Sequence, residues 1–96
     1  MVYNKIMGHN YLKLERIIKG FANHRRLEIL NLLKTKPGLS VDNIAEILRI
    51  GYQNASDHIR KLYIAGLVSK KSLGTSVVHQ LTHRAEAILV FCKKLE

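Results

Sequence analysis

The sequence predicts a mainly α fold of about five short helices, with one small antiparallel β-hairpin ahead of the last. Three observations carry this. Apolar residues recur at helical spacing in four segments between residues 11 and 65. After Gly66 the spacing drops to two, in a pair of runs flanking a glycine turn. Helical spacing then returns for the final dozen residues. A chain of 96 residues is read as one domain, 1–96. A domain of that size buries only about 60–65% of its unfolded surface, so pairing with a second copy would supplement its core.

The first helix is predicted from about Tyr11 to Ala22, with Leu14, Ile17, Ile18 and Phe21 on one stripe. Asn23 is a good N-cap for a second, His24 to about Lys34, whose face of Leu27, Ile29, Leu30, Leu32 and Leu33 suits the centre of a small core. Lys36-Pro37-Gly38 stops it. Ser40 caps a short third helix, Val41 to Leu48, with Val41, Ile44, Ala45 and Leu48 inward. Arg49-Ile50-Gly51 is a tight turn. The fourth helix runs from about Tyr52 to Ala65, Ala55, Ile59 and Leu62 inward, with Gly66 as its C-terminal cap. Leu67–Ser72 and Ser76–Leu81 are strands around Gly74. The last helix, about Arg84 to Leu95, carries Ala85, Ile88, Leu89 and Cys92 on one stripe. Two short helices about a tight turn (about 41–66), followed by a basic hairpin (about 67–82), make a winged helix-turn-helix.

Charge narrows the function. Sixteen Lys and Arg against seven Asp and Glu give a formal +9, a balance that favours polyanions, nucleic acid before anionic membrane. Residues 49–82 carry five basic side chains and one acidic one, the most one-sided stretch. The longest apolar run, Ala87 to Cys92, is far short of the ~20 residues that span a bilayer. The first ten residues carry polar Asn4, His9 and Asn10 and no long apolar stretch, so a secretory signal is not expected there. A single cysteine excludes an internal disulfide and a multi-thiolate metal cluster within one chain. The expected location is therefore the cytoplasm. Neither a nucleophile–base spacing, nor a phosphate-binding glycine loop, nor a catalytic carboxylate pair stands out, so an enzyme is not expected and no cofactor is implied.

Several segments resemble the ArsR family of bacterial and archaeal transcription regulators. They are Phe21-Ala22-Asn23-His24-Arg25-Arg26-Leu27-Glu28-Ile29-Leu30, Leu39-Ser40-Val41, Ile44-Ala45-Glu46-Ile47-Leu48, His58-Ile59-Arg60-Lys61-Leu62 and Ala65-Gly66-Leu67-Val68, with Gly74 at the wing turn and Leu81-Thr82 after it. The resemblance covers roughly residues 12–90. It implies a homodimer formed by the terminal helices (about 11–22 and 84–95), operator binding and repression. Two departures stand out: Gly51 replaces the usual Ser N-cap of the recognition helix, and Arg49 the usual turn glycine, a position that calls for a left-handed backbone. The resemblance also raises metal sensing. One family metal site is a cysteine motif in the third helix, where Ser40 to Ile44 hold no Cys. Another lies at the last helix, where His83 and Glu86 remain beside the opposing charge of Arg84. No metal site is predicted.

With Ala55, Ile59 and Leu62 inward, Gln53, Asp57 and Arg60 of the fourth helix point away from the core, flanked by Asn54, Ser56 and Lys61. Such a helix lays its N-terminal half in the major groove. Gln53 and Asn54 are the candidates for base edges, since a side-chain amide can bond adenine bidentately. Ser56 can reach a base or phosphate, and Arg60 guanine or phosphate. Asp57 could accept from cytosine; pairing with Arg60 or Lys61, three and four residues on, is the preferred reading. Lys70 and Lys71 on the first wing strand would hold phosphates, and would also guard an exposed strand edge. His58 reads as a packed histidine and Cys92 as a small buried hydrophobe, with an intersubunit redox switch as its sharper alternative. The expected partner is double-stranded DNA carrying an imperfect palindrome, its half-sites about 34–36 Å apart or a multiple of that. The competing reading is a protein-interaction module docking through Tyr52, Tyr63 and Ile64.

Overall fold

A computed structural model describes residues 10–96; the reading of Asn4 and His9 lies outside the described residues. The element order is α1 (Tyr11–Phe21), α2 (His24–Thr35), α3 (Val41–Leu48), α4 (Tyr52–Ile64), β1 (Val68–Leu73), β2 (Ser76–Leu81) and α5 (His83–Leu95). This is the winged helix-turn-helix that the periodicity predicts, with ends moved by a residue in several places.

Side-chain caps set the helix starts. Asn23 Oδ1 accepts from the N–H groups of Arg25 and Arg26 at 2.9 and 3.1 Å, fixing α2. Ser40 and Asn43 form a reciprocal capping box at α3, each side chain accepting from the other's backbone N–H at 3.2 Å. Thr82 caps α5 through Ala85 N–H, which starts that helix at His83 rather than Arg84. The same hydroxyl donates to Gly66 O at 2.7 Å, tying the base of the hairpin to the end of α4.

Two helix ends have the same hydrogen-bond pattern with different residues. At the end of α4, Leu67 N–H donates to Leu62 O at 2.9 Å and Gly66 N–H to Tyr63 O at 3.0 Å, with Gly66 at φ 75°. That is a Schellman motif, sealed by the fully buried pair Leu62 and Leu67. It draws Leu67 into the helix stop, which is why β1 begins at Val68 instead of Leu67. At the end of α3, Ile50 N–H donates to Ala45 O at 3.0 Å and Arg49 N–H to Glu46 O at 3.3 Å. Here the left-handed residue is Arg49, at φ 56° and ψ 47°, as its place in the turn required.

Ile29, Leu30 and Leu33 of α2 occupy the centre of the core, packed with Ile44, Ile59, Leu62, Leu67, Val68 and Ala85. The hairpin pairs Val68 with Leu81 through to Leu73 with Ser76. Leu39 adds a one-residue third strand: His79 N–H and Nδ1 both donate to Leu39 O at 2.9 Å. His79 is thereby a buried structural residue, separated in role from exposed His83.

The α1 stripe divides. Phe21 is buried and Ile17 half-buried, while Leu14 and Ile18 are 40% and 50% exposed. On α5, Ala85 is buried and Ile88, Leu89 and Cys92 half-buried, and Val90, Phe91 and Leu95 face outward. Each terminal helix therefore uses one face for the core and leaves a second apolar face uncovered within the chain.

Candidate nucleic-acid interface

Helix α4 organises the site. Its buried line of Ala55, Ile59 and Leu62 fixes which residues face out. Gln53 and Asn54, in its first turn, are exposed. Its N-cap is Gly51, at φ −63° and ψ 148°, and no side chain caps the helix. The first-turn N–H groups thus keep their capacity to meet an anion.

Further along, Asp57 Oδ1 lies 4.0 Å from Arg60 Nη2, with both side chains at least half exposed. The pair is too exposed and too long to add much stability, and the guanidinium stays on the outer face. Ser56 is half-buried on the side of the helix nearer the wing. Lys61 is exposed on the opposite flank, toward α1. The outward set predicted from the sequence thus spreads over three directions: Gln53, Asp57 and Arg60 at the centre, Ser56 toward the wing, Asn54 and Lys61 toward α1.

Lys70 and Lys71 are both exposed on β1, and as strand neighbours their side chains leave opposite faces of the hairpin. The Lys70 ammonium sits 4.5 Å from the centroid of the Tyr63 ring. This cation–π contact links the wing to the end of α4. Lys71 makes no such contact among the described residues.

Residues that the periodicity did not mark hold this arrangement together. Arg26 of α2 donates through Nη1 to the carbonyls of Lys19 and Gly20, and through Nε to His58 Nδ1 at 3.2 Å. One guanidinium thereby joins α1, α2 and α4. Burial pushes the His58 pKa down, and the charges of Arg26 and Lys61 push it the same way, against a smaller opposing pull from Asp57. The neutral imidazole accepts the Arg26 hydrogen bond, so His58 is the packed residue its sequence position suggests. Gly20 is a second such residue: a Cβ there would lie 2.5 Å from Ala65 Cβ, so α1 reaches α4 only without a side chain. Only the break in the α1 apolar pattern hinted at it. Arg49, exposed in the turn before α4, is a further cation near the N-terminus of that helix.

The alternative docking patch is not assembled. Tyr52, Tyr63 and Ile64 are all exposed, but Ile64 lies roughly 100–120° around the helix from the two tyrosines, and Tyr63 is engaged by Lys70. Cys92 is half-buried, lining a cleft between α2 and α5. Among the described residues, no group of three or more His, Cys, Asp or Glu is placed to hold a metal ion, and no helix is long and apolar enough to cross a membrane.

Residues 23–70 match the family described as "Bacterial regulatory protein, arsR family". Among solved structures, the chain resembles the homodimeric winged helix-turn-helix DNA-binding domain of a possible ArsR-family transcriptional regulator from Mycobacterium bovis. Identity is 29% over 86% of this chain and 76% of that one, with a TM-score of 0.74. It also resembles HlyU from Vibrio cholerae, at 29% identity over 90% and 94% of the two chains (TM-score 0.77). The transcriptional regulator HlyU from Vibrio vulnificus matches at 29% identity over 95% of each chain (TM-score 0.75).

Proposed function

The chain belongs to the arsR family of bacterial regulatory proteins, and on that premise we propose that it is a dimeric, sequence-specific repressor that binds double-stranded DNA. The observation that carries this reading is the exposed, uncapped first turn of α4, bearing Gln53 and Asn54, beside a wing that presents Lys70 and Lys71. In this reading the N-terminal half of α4 enters the major groove. Gln53 and Asn54 read base edges, while Ser56, Arg60 and Lys61 hold the groove walls and Asp57 orients Arg60. The wing lysines take backbone phosphates on either side of the hairpin.

The uncovered apolar faces of α1 (Leu14, Ile18) and α5 (Val90, Phe91, Leu95) supply the dimer contact. The homodimeric domain from Mycobacterium bovis supports that choice. Two-fold symmetry then calls for an imperfect palindrome, and occupancy of a promoter would block transcription.

The test is binding to a duplex from upstream of the chain's own gene, against a scrambled duplex, across a salt series. The expected result is a preference above ~10³ with a slope reporting several phosphate contacts. Equal binding to both would refute sequence specificity at that site, and no binding at low salt would refute the DNA reading.

A further inference from the structure

A cleft of about 550 Å³ opens between α1, the second half of α4 and the start of α5. That lies within the range of about 300–1,000 Å³ usual for small-molecule sites. Its floor is apolar: Ile17, Gly20, Ile64 and Ala65. Its walls are cationic, from Lys13, Arg16, Lys19, Arg26, Lys61 and Arg84, and among the described residues no acidic side chain lines it.

Two features separate this cleft from an ordinary solvated surface. The first is its apolar floor, which includes Ile64 at 71% exposure, uncovered amid a ring of charge. The second is the tethering of two of its cations. Arg84 Nη1 is held by Ala65 O at 2.9 Å and Arg26 Nη1 by the α1 carbonyls, which fixes both guanidinium groups at the rim. Restrained cations lose less rotamer freedom when an anion arrives. Among the described residues, the only carboxylate paired with a wall cation is that of Glu15, with Lys19 at 3.8 Å, and that pair is exposed. A ligand that satisfied charge alone would leave the floor wet, and a neutral apolar one would leave the ring of cations unanswered.

We propose that this cleft binds a small amphipathic organic anion, a carboxylate with an apolar body, and that its occupancy weakens DNA binding through Lys61. The second half of the proposal rests on the DNA-binding reading above. Lys61 belongs both to the cleft and to the flank of the recognition helix. A bound carboxylate neutralises it there and lowers its pull on phosphate, so anion and duplex disfavour one another. On α1 the cleft stands apart from the apolar face proposed for the dimer. Around α1, Lys13 and Gly20 lie roughly 100–120° from Leu14, so the cleft and the exposed Leu14–Ile18 face occupy different flanks.

The experiment follows the Ile17 and Ile64 methyl resonances by NMR in the DNA-free protein, with octanoate as probe. Acetate, inorganic phosphate and 1-octanol test charge and body separately. Octanoate is expected to move both methyls saturably, with the other three at least ten-fold weaker. Lys13→Gln with Arg16→Gln, and separately Ile64→Gln, all at exposed positions, should each weaken octanoate at least ten-fold with the thermal midpoint unchanged. Phosphate or 1-octanol binding as tightly as octanoate, or full octanoate affinity in both variants, would overturn the site. In a second arm, saturating octanoate should reduce duplex affinity at least five-fold in the wild type and leave the Lys13→Gln/Arg16→Gln protein unaffected. Undiminished duplex binding by the octanoate-saturated protein would overturn the coupling. A protein that binds no duplex even without octanoate would sink the DNA reading, while the methyl titration still decides the cleft.

Discussion

Arg49→Gly should make the protein more stable and a poorer DNA binder. Arg49 holds the left-handed position of the helix stop after α3, at φ 56° and ψ 47°, where its Cβ crowds the following carbonyl. For a residue other than Gly, Asn or Asp that conformation costs roughly 1–2 kcal/mol. Glycine relieves it, but its freer unfolded chain returns roughly 0.4–1 kcal/mol of the gain. The Arg49 side chain is exposed and makes no hydrogen bond or ion pair among the described residues, so no other contact there is lost. The net expectation is a gain of about 0.5–1 kcal/mol, or roughly 2–8 °C in thermal midpoint for a domain of this size. Backbone strain persists where function uses it. On the DNA-binding reading proposed above, the use is an extra cation at the turn that leads into α4. Duplex affinity should therefore fall several-fold, with a shallower salt slope, by about 0.9 per protomer if one phosphate contact is lost. Arg49→Asn is the control, since it tolerates the left-handed region without the charge. Thermal melts and a fluorescence-anisotropy salt series measure both effects. A lower midpoint for Arg49→Gly would refute the strain assignment, and unchanged affinity in both variants would refute the role of the charge.

Three further outcomes follow. Gln53→Ala and Asn54→Ala should erode preference for the native duplex by about 1–3 kcal/mol per lost base contact with little change in salt slope, whereas Lys71→Ala should weaken all duplexes alike and flatten the slope by about 0.9 per protomer; competition binding against scrambled duplex separates the two. Ile18→Glu, on the outer face of α1, should shift the protein toward monomer in analytical ultracentrifugation without lowering its helix content, and an unchanged dimer would move the interface elsewhere. The folded-state pKa of His58 is lowered, so folding favours the neutral imidazole. Its contribution is intact above the unfolded value of about 6.5, is lost as pH falls from there toward the folded value, and loses nothing more below it. The thermal midpoint of the wild type should therefore drop through that interval more than that of His58→Gln, and parallel profiles would show that His58 is not the titrating group.

Most of the fold could be read from single-residue signals that act locally. Asn23, Ser40 and Gly66 each satisfy backbone groups within three or four residues of themselves, so their helices begin and end where the sequence places them. The outward set on α4 was equally accessible, because three buried residues at helical spacing determine the rest of the wheel. What the sequence concealed depends on contacts between distant segments. Arg26 reads as one more surface cation of α2, yet it bonds two carbonyls of α1 and an imidazole 32 residues later. Gly20 reads as a weakness in a helix, and its reason lies in Ala65. Lys70 and Lys71 look interchangeable, and only the position of Tyr63 distinguishes them.

Those long-range contacts also divide the positive charge into parts with different work. A formal +9 spread evenly would give a weak, undirected attraction for any polyanion. Instead Arg26 is committed to joining three helices and Arg84 to the α4 terminus, so neither can follow a phosphate backbone. Arg60 lies 4.0 Å from Asp57, and Lys70 sits over the Tyr63 ring. Among the described residues, Arg49 and Lys71 have no such tether, and they lie in the turn before α4 and on the wing after it. These two cations thus lie on either side of α4 along the chain, while Arg26 and Arg84 tie α4 to its neighbours. On the DNA-binding reading proposed above, attraction and positioning fall to different side chains, with base reading assigned to the two uncharged amides Gln53 and Asn54.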